Sequence, residues 1–268
     1  MLVIAERINA TNRSVGEAIA SRDAEFITRL AQEQSAAGAH FIDVNAGAGK
    51  GSSAGERETI EWLVEVVQSA TDRPLCIDSE SPQAIQAAVA KYRGEELMIN
   101  SVTAEEWRLE PVGSLAVERR AKLVALAMGA EGIPDTVEKR LAACDVIMER
   151  LGGMGIKAEQ VFFDPLVLPI SVDSKQGMVT LETLQKIKLR YPGVNTVMGL
   201  SNVSYGLPER KLINRSFLLM AAYAGLDAAI LDPLDKRMMS VCRVADLLTA
   251  GGASRAYLNA HRKGMIVD

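Results

Sequence analysis

The chain has 268 residues, 48% apolar and 24% charged, the balance of a globular protein with a sizeable core and not of a disordered or fibrous one. Its 30 lysines and arginines stand against 34 acids, a net charge of −4 with neither sign gathered into a run, which argues against nucleic-acid binding. An aromatic content of 4% argues against a base-stacking surface as well.

No apolar run approaches the roughly 18 residues of a membrane helix. The start, Met1-Leu-Val-Ile-Ala, is interrupted by Glu6 and Arg7 and lacks the basic lead and long apolar stretch of a signal peptide, so a cytoplasmic location is expected. Cys76, Cys144 and Cys242 are odd in number and scattered, which fits reduced thiols better than a disulfide framework. With only His40 and His261 beside them, a zinc site has almost nothing to draw on.

In chain order, short apolar runs that stop at a polar residue predict strands at Leu2–Asn9, Phe41–Asn45, Leu75–Asp78, Leu97–Asn100, Leu123–Met128, Val161–Asp164, Thr196–Asn202 and Ala228–Asp232. Between them lie stretches of helical period, such as Ala24–Ala37 with Phe26, Ile27, Leu30 and Ala31, and Ala54–Ala70 with Ile60, Leu63, Val64 and Val67. Gly38 and Gly225 sit where left-handed C-caps belong, and Pro82 and Pro134 suit first helical turns. Eight strands separated by helices in this length predict an α/β fold, a single-domain (β/α)8 TIM barrel over residues 1–268. An open dinucleotide-binding sheet would show G-x-G-x-x-G after its first strand, where this chain has Glu6-Arg7-Ile8-Asn9-Ala10-Thr11.

In such barrels the site lies at the C-terminal strand ends. Here those ends are Glu6, Asn9, Asp43, Asn45, Asp78, Asn100, Asp164, Ser201, Asn202 and Asp232: carboxylates, carboxamides and one hydroxyl, with no histidine, cysteine or lysine. Planar donor and acceptor edges of this kind suit a neutral heterocycle with amide and amino functions. The segment Ala46-Gly-Ala-Gly-Lys-Gly-Ser52 fails the phosphate-loop pattern because Val44 holds the first glycine position, and it reads as a βα loop. Asp43, Asp78 and Asp164 could suit Mg²⁺, yet no D-x-D spacing concentrates them and no metal is expected. His40 opens the second strand at the far end of the barrel, His261 lies in a basic tail, and Cys76 reads as barrel packing.

Glu6-Arg-Ile-Asn9, Asp43-Val-Asn-Ala-Gly47, Leu75-Cys-Ile-Asp-Ser79, Met98-Ile-Asn-Ser101, Asp164-Pro-Leu-Val-Leu-Pro169, Gly199-Leu-Ser-Asn-Val-Ser204 and Leu212-Ile-Asn-Arg215, taken in order, closely resemble the pterin-binding methyltetrahydrofolate:corrinoid protein methyltransferases. The resemblance spans essentially the whole chain and implies a homodimeric TIM barrel. It further implies that Asp78 and Asn100, joined by Asp164, hold the amino-pyrimidinone edge of the pterin. Gly199 and Ser201 would line the ring, Asn202 would reach N5, and Arg210 would occupy the family's arginine position. Asn202 and Asp164 are the implied catalytic residues. Tyr205 stands where acetogenic members carry glutamine, a departure that points to methylation of tetrahydrofolate from a methylcorrinoid. The substrates implied are tetrahydrofolate and its methyl form. The corrinoid would come on a partner protein, because the D-x-H-x-x-G loop of a cobalamin carrier is missing.

A methyl on neutral N5 leaves only if that nitrogen gains a proton or a strong hydrogen bond. No acid is apparent in the sequence, and Asn202 within a polar network, with proton delivery through water, is the expected arrangement. Two rival classes remain: a dihydropteroate synthase-like enzyme, which would need basic strand-end groups absent from Gly199–Asn202, and a non-catalytic folate-binding protein.

Overall fold

The computed structural model describes residues 1–47, 53–249 and 254–267. Eight parallel strands close into a barrel in sequence order: β1 (Leu2–Ala5), β2 (Phe41–Asn45), β3 (Leu75–Asp78), β4 (Leu97–Val102), β5 (Lys122–Leu126), β6 (Val161–Asp164), β7 (Asn195–Gly199) and β8 (Ala228–Leu231). Around them run α1 (Arg13–Ala20), α2 (Ala24–Ala36), α3 (Ser53–Ala70), α4 (Pro82–Lys91), α5 (Glu106–Arg119), α6 (Val137–Gly153), α7 (Gln176–Arg190), α8 (Arg210–Tyr223), α9 (Lys236–Thr249) and α10 (Ser254–Arg262). The strand order expected from the sequence is therefore the one observed.

Side-chain alternation along a strand explains how the barrel carries both a core and a site. Ile4, Phe41, Cys76, Met98, Val124, Phe162, Val197 and Ala228 fill the interior as one buried apolar cluster. Two residues onward on the same face come Asp43, Asp78, Asn100, Asp164 and Gly199, so the interior turns polar one layer nearer the C-terminal ends. Register keeps this layer together, pairing Asn45 with Asp78, Asp78 with Asn100, and Leu126 with Asp164. The outward-facing residues, such as Ile42, Val44, Ile77 and Ile99, pack under the helices in a second large core.

The helix punctuation follows local chemistry. Ser81 caps α4 by accepting from the Ala84 amide, with Pro82 in the first turn. Gly38 and Gly225 take φ of 102° and 108°, the left-handed conformation expected after α2 and α8.

Several boundaries differ from expectation. β1 ends at Ala5, not Asn9, because Asn9 turns to accept from both the amide and the hydroxyl of Thr11 at 2.9 and 2.7 Å, leaving only an isolated bridge to Asn45. β7 ends at Gly199, and Leu200–Ser204 coil into a 3₁₀ turn, so Ser201 and Asn202 project from a turn above the strand. Pro134 lies ahead of α6, whose N-cap is Thr136, and its carbonyl instead accepts from Arg140 Nε at 2.9 Å. β4, by contrast, runs on to Val102 through an irregular pairing with β5 at Asn100–Val102. The glycine- and lysine-bearing segment 46–52 lies outside the described residues from 48 onward.

Candidate active site

Residues at or just beyond the C-terminal ends of β1, β2, β3, β7 and β8 surround a cavity of ≈ 560 Å³ at the mouth of the barrel, a size suited to a small heterocyclic ligand. Glu6, Asp43, Asp78, Gly199, Ser201, Asn202 and Asp232 are among its walls. Asp78 also lines a neighbouring cleft of ≈ 680 Å³ that runs out past Ser79 and Ser81 to Trp107. A third, smaller cavity of ≈ 150 Å³ joins Glu6 and Ser201 to Lys211 and Asp235.

Asp78 is oriented from the next strand. Asn45 Nδ2 donates to Asp78 Oδ2 at 2.7 Å, while Asn45 Oδ1 accepts from the Gly47 amide at 2.6 Å. Burial pushes the Asp78 carboxyl up to about 6, against the opposing Asn45 hydrogen bond and the Arg108 guanidinium. Asp43 lies deeper, 2% exposed, and its Oδ1 has no hydrogen-bond partner. Burial, then the Asp78 charge, hold Asp43 well above the usual carboxylate range. An orphaned buried oxygen on a cavity wall is a place for a ligand donor.

Asn100 and Asp164 sit in the same polar layer but are 8% and 9% exposed, behind the cavity surface. Asp164 Oδ1 accepts from the Leu166 amide at 2.7 Å, and the Gly199 amide also donates to this carboxylate. Burial outweighs these bonds and pushes Asp164 up to about 6.

Two buried arginines hold the loops that carry these groups. Arg108 Nε donates to the Ser101 carbonyl at 2.9 Å, and its Nη2 reaches the Ser79 carbonyl at 3.1 Å, tying the end of β3 to the end of β4. Arg140, fully buried, donates to the carbonyls of Pro134, Pro165 and Leu166, to Thr180 Oγ1 and to Gln176 Oε1, fixing the loop after Asp164. Leu166 takes φ of 68° there, a left-handed conformation uncommon for a leucine.

Of the residues singled out in the sequence, Asp78, Gly199, Ser201 and Asn202 meet at the cavity, and Asn100 and Asp164 stand directly beneath the mouth. Arg210 does not line it. Its guanidinium donates to the Ser201 carbonyl at 2.8 Å and Ser204 Oγ at 3.1 Å, and lies 5.9 Å from the Tyr205 ring centroid, pinning the turn that presents Asn202.

Glu6, Asp43, Asn45 and Asp232 were visible as strand ends but carry no assigned role in the sequence reading, and Arg7, Arg108 and Arg140 escaped it. Arg140 shares the stripe of Leu141, Cys144, Ile147 and Leu151, and Arg108 that of Leu109, Val112 and Ala116, so each stands on a buried helix face. A charge on an apolar stripe was the available signal.

His40 Nδ1 accepts from the Val3 amide at 3.0 Å at the opposite end of the barrel, and Cys76 is buried in the interior cluster. Among the described residues no cluster of three or more histidine, cysteine or acidic groups could hold a metal ion, and no helix is long and apolar enough to cross a membrane.

A model of the pterin-binding enzymes matches residues 5–232. The chain is 32% identical over 99% of its length, and 98% of the relative's, to a methylcorrinoid:tetrahydrofolate methyltransferase of Eubacterium limosum. It is 30% identical to a methionine synthase of Mycobacterium tuberculosis over 86% of this chain but 20% of that protein. A 7,8-dihydropteroate synthase of Vibrio fischeri superposes with a TM-score of 0.72 over 94% of both chains at 15% identity, a likeness of fold. With the family model covering the barrel from the last residue of β1 to just past the end of β8, the chain belongs to the pterin-binding enzymes.

Proposed function

We propose that the chain is a methyltransferase that moves a methyl group between N5 of tetrahydrofolate and the cobalt of a separate corrinoid protein, working toward methyltetrahydrofolate. The observation that carries this reading is the near full-length relation to a methylcorrinoid:tetrahydrofolate methyltransferase, in a chain whose barrel mouth is walled by carboxylates and carboxamides. Residues 1–268 act in it as one pterin-binding barrel.

Ionised Asp78 accepts from the ring N–H and amino group of the pterin, with Asn100 and Asp164 completing that edge from β4 and β6. Gly199 leaves the ring face open, since a Cβ there would meet nothing within 4 Å, and Ser201 lines it. Asn202, on the 3₁₀ turn pinned by Arg210, offers NH₂ or C=O to N5 according to its protonation. Asn202 and Asp164 are the residues assigned to catalysis. The corrinoid is a second substrate borne by a partner. Neither histidine stands at the mouth to ligate cobalt, which fits a carrier that brings its own ligand.

A dihydropteroate synthase-like reaction fits less well, because β7 and the turn after it offer no lysine or arginine for a diphosphate. A homodimer would cover the apolar side chains left exposed on α7 and α8, among them Leu189, Met220 and Tyr223. The location is read as cytoplasmic. The experiment is single-turnover transfer from methylcobalamin to tetrahydrofolate: methyltetrahydrofolate formed only with the protein supports the reading, and pterin binding without transfer would reduce the chain to a folate-binding protein.

A further inference from the structure

We propose that Glu6 is the acid that delivers a proton to N5 as the methyl group leaves, and the base that removes it in the opposite direction. The inference rests on the reading of the cavity as an N5 methyl-transfer site. A carboxamide can strengthen a hydrogen bond at N5 but cannot give up a proton at neutral pH, so Asn202 alone leaves the leaving-group problem unsolved.

Glu6 is the first residue beyond β1, and its amide donates to the Leu231 carbonyl at 3.1 Å, which seats it at the β1–β8 seam. Its side chain lines both the ≈ 560 Å³ cavity with Asn202 and the ≈ 150 Å³ cavity with Lys211, and Ser201 is common to both. It thus lines the same cavity as the asparagine. Of the other carboxyls on the large cavity, Asp78 is held by Asn45 as an acceptor and Asp232 pairs with Arg7 Nη1 at 3.1 Å, while Asp43 is only 2% exposed and is held well above the usual carboxylate range by burial and the Asp78 charge.

The charges facing Glu6 come from every side of this seam: Asp232 from β8, Arg7 from its own segment, Arg210 from α8 and Asp43 from β2. Lys211 and Asp235 share the smaller cavity. Burial, then Asp232, push the Glu6 carboxyl up to about 7, against Arg7 and Arg210. Near that value a group is both protonated and able to release its proton at neutral pH.

The electron count closes. In demethylation the C–N5 bond breaks, its pair stays on nitrogen and takes the Glu6 proton to become N5–H, and cobalt(I) of the corrinoid supplies the pair of the new carbon–cobalt bond. In tetrahydrofolate methylation the N5 pair attacks the methyl of a methyl–cobalt(III) corrinoid, the carbon–cobalt pair returns to cobalt, and the proton passes to the Glu6 carboxylate.

The test uses the full chain with Glu6→Gln and Glu6→Asp, and with 5-methyltetrahydrofolate and free cob(I)alamin as probes. Glu6→Gln is expected to slow single-turnover demethylation about a hundredfold, to abolish the fall in rate above pH about 7, and to leave the dissociation constant of 5-methyltetrahydrofolate within about twofold. Glu6→Asp is expected to restore part of the rate together with its pH limb. Carbon-13 NMR of the labelled carboxyl should show one glutamate titrating near 7 in the free protein, lost in Glu6→Gln. Unchanged rate and pH profile in Glu6→Gln, or no such carboxyl, would overturn the proposal while leaving the methyltransferase reading intact. A wild-type chain that moves no methyl would remove both.

Discussion

Asn45 Nδ2 faces Asp78 Oδ2 across 2.7 Å because the other end of the same amide is already taken by the Gly47 N–H. The amide orientation is thereby set, and the carboxylate is presented as an acceptor before any ligand arrives. Loss of a hydrogen bond to a charged group costs about 1.5–3 kcal/mol. Asn45→Ala should weaken tetrahydrofolate binding by roughly tenfold or more. It should also move the pH at which binding switches on upward from about 6, because Asp78 loses a donor that favours its ionised form. Isothermal titration between pH 5 and 8 checks both, and an unmoved midpoint would contradict the role given to Asn45.

Binding and chemistry should separate between Asp78 and Asn202. Asp78→Ala leaves the pterin edge unpaired and should weaken binding by about 1–3 kcal/mol. Asn202→Ala should chiefly lower the single-turnover rate, because a bond that strengthens at N5 during reaction is felt in the transition state. Equal effects of both changes on affinity, with no loss of rate in Asn202→Ala, would refute this division.

The carboxyls of the mouth make stability fall as pH rises. Glu6, Asp78 and Asp164 are pushed up to about 7, 6 and 6 in the fold, so the folded chain holds protons that the unfolded chain has released. Their contribution is fully present below about pH 4 and lost as pH climbs through 6 to 7. For Glu6 the span from 4.5 to about 7 corresponds to at most roughly 3 kcal/mol. Glu6→Gln should therefore be more stable than wild type toward urea at pH 8 and indistinguishable from it near pH 4.5. A variant less stable at pH 8 would contradict the burial argument.

Arg140 joins α6 to the loops on either side of it. Arg140→Met would remove the guanidinium that donates at 2.9 Å each to the carbonyls of Pro134, Pro165 and Leu166, leaving the Leu166 carbonyl with only its bond from Thr180 Oγ1. A loss of roughly 3 kcal/mol or more is expected, accompanied by weaker pterin binding through the displaced Asp164. Denaturation showing less than about 1 kcal/mol of change would contradict the proposed clamp.

Eight strands and their order were legible because each strand is a short apolar run ended by a polar residue. Asp78, Gly199, Ser201 and Asn202 were legible as a set because the barrel brings strand ends together. The motif position of Arg210 said nothing of the Ser201 carbonyl to which its guanidinium donates. The end of β7 was overrun because Leu200 and Val203 are apolar in the 3₁₀ turn just as they would be in a strand. Glu6 went unassigned because its burial comes from the closure of β1 against β8, a contact between the two ends of the chain.

The most direct measurement follows a carbon-13 methyl label from methylcobalamin in the presence of tetrahydrofolate and the protein. The account predicts that the label appears on N5 at a rate that depends on the protein and falls at least tenfold in Asn202→Ala. Label that stays on cobalt while tetrahydrofolate is bound, or transfer indifferent to Asn202, would contradict it.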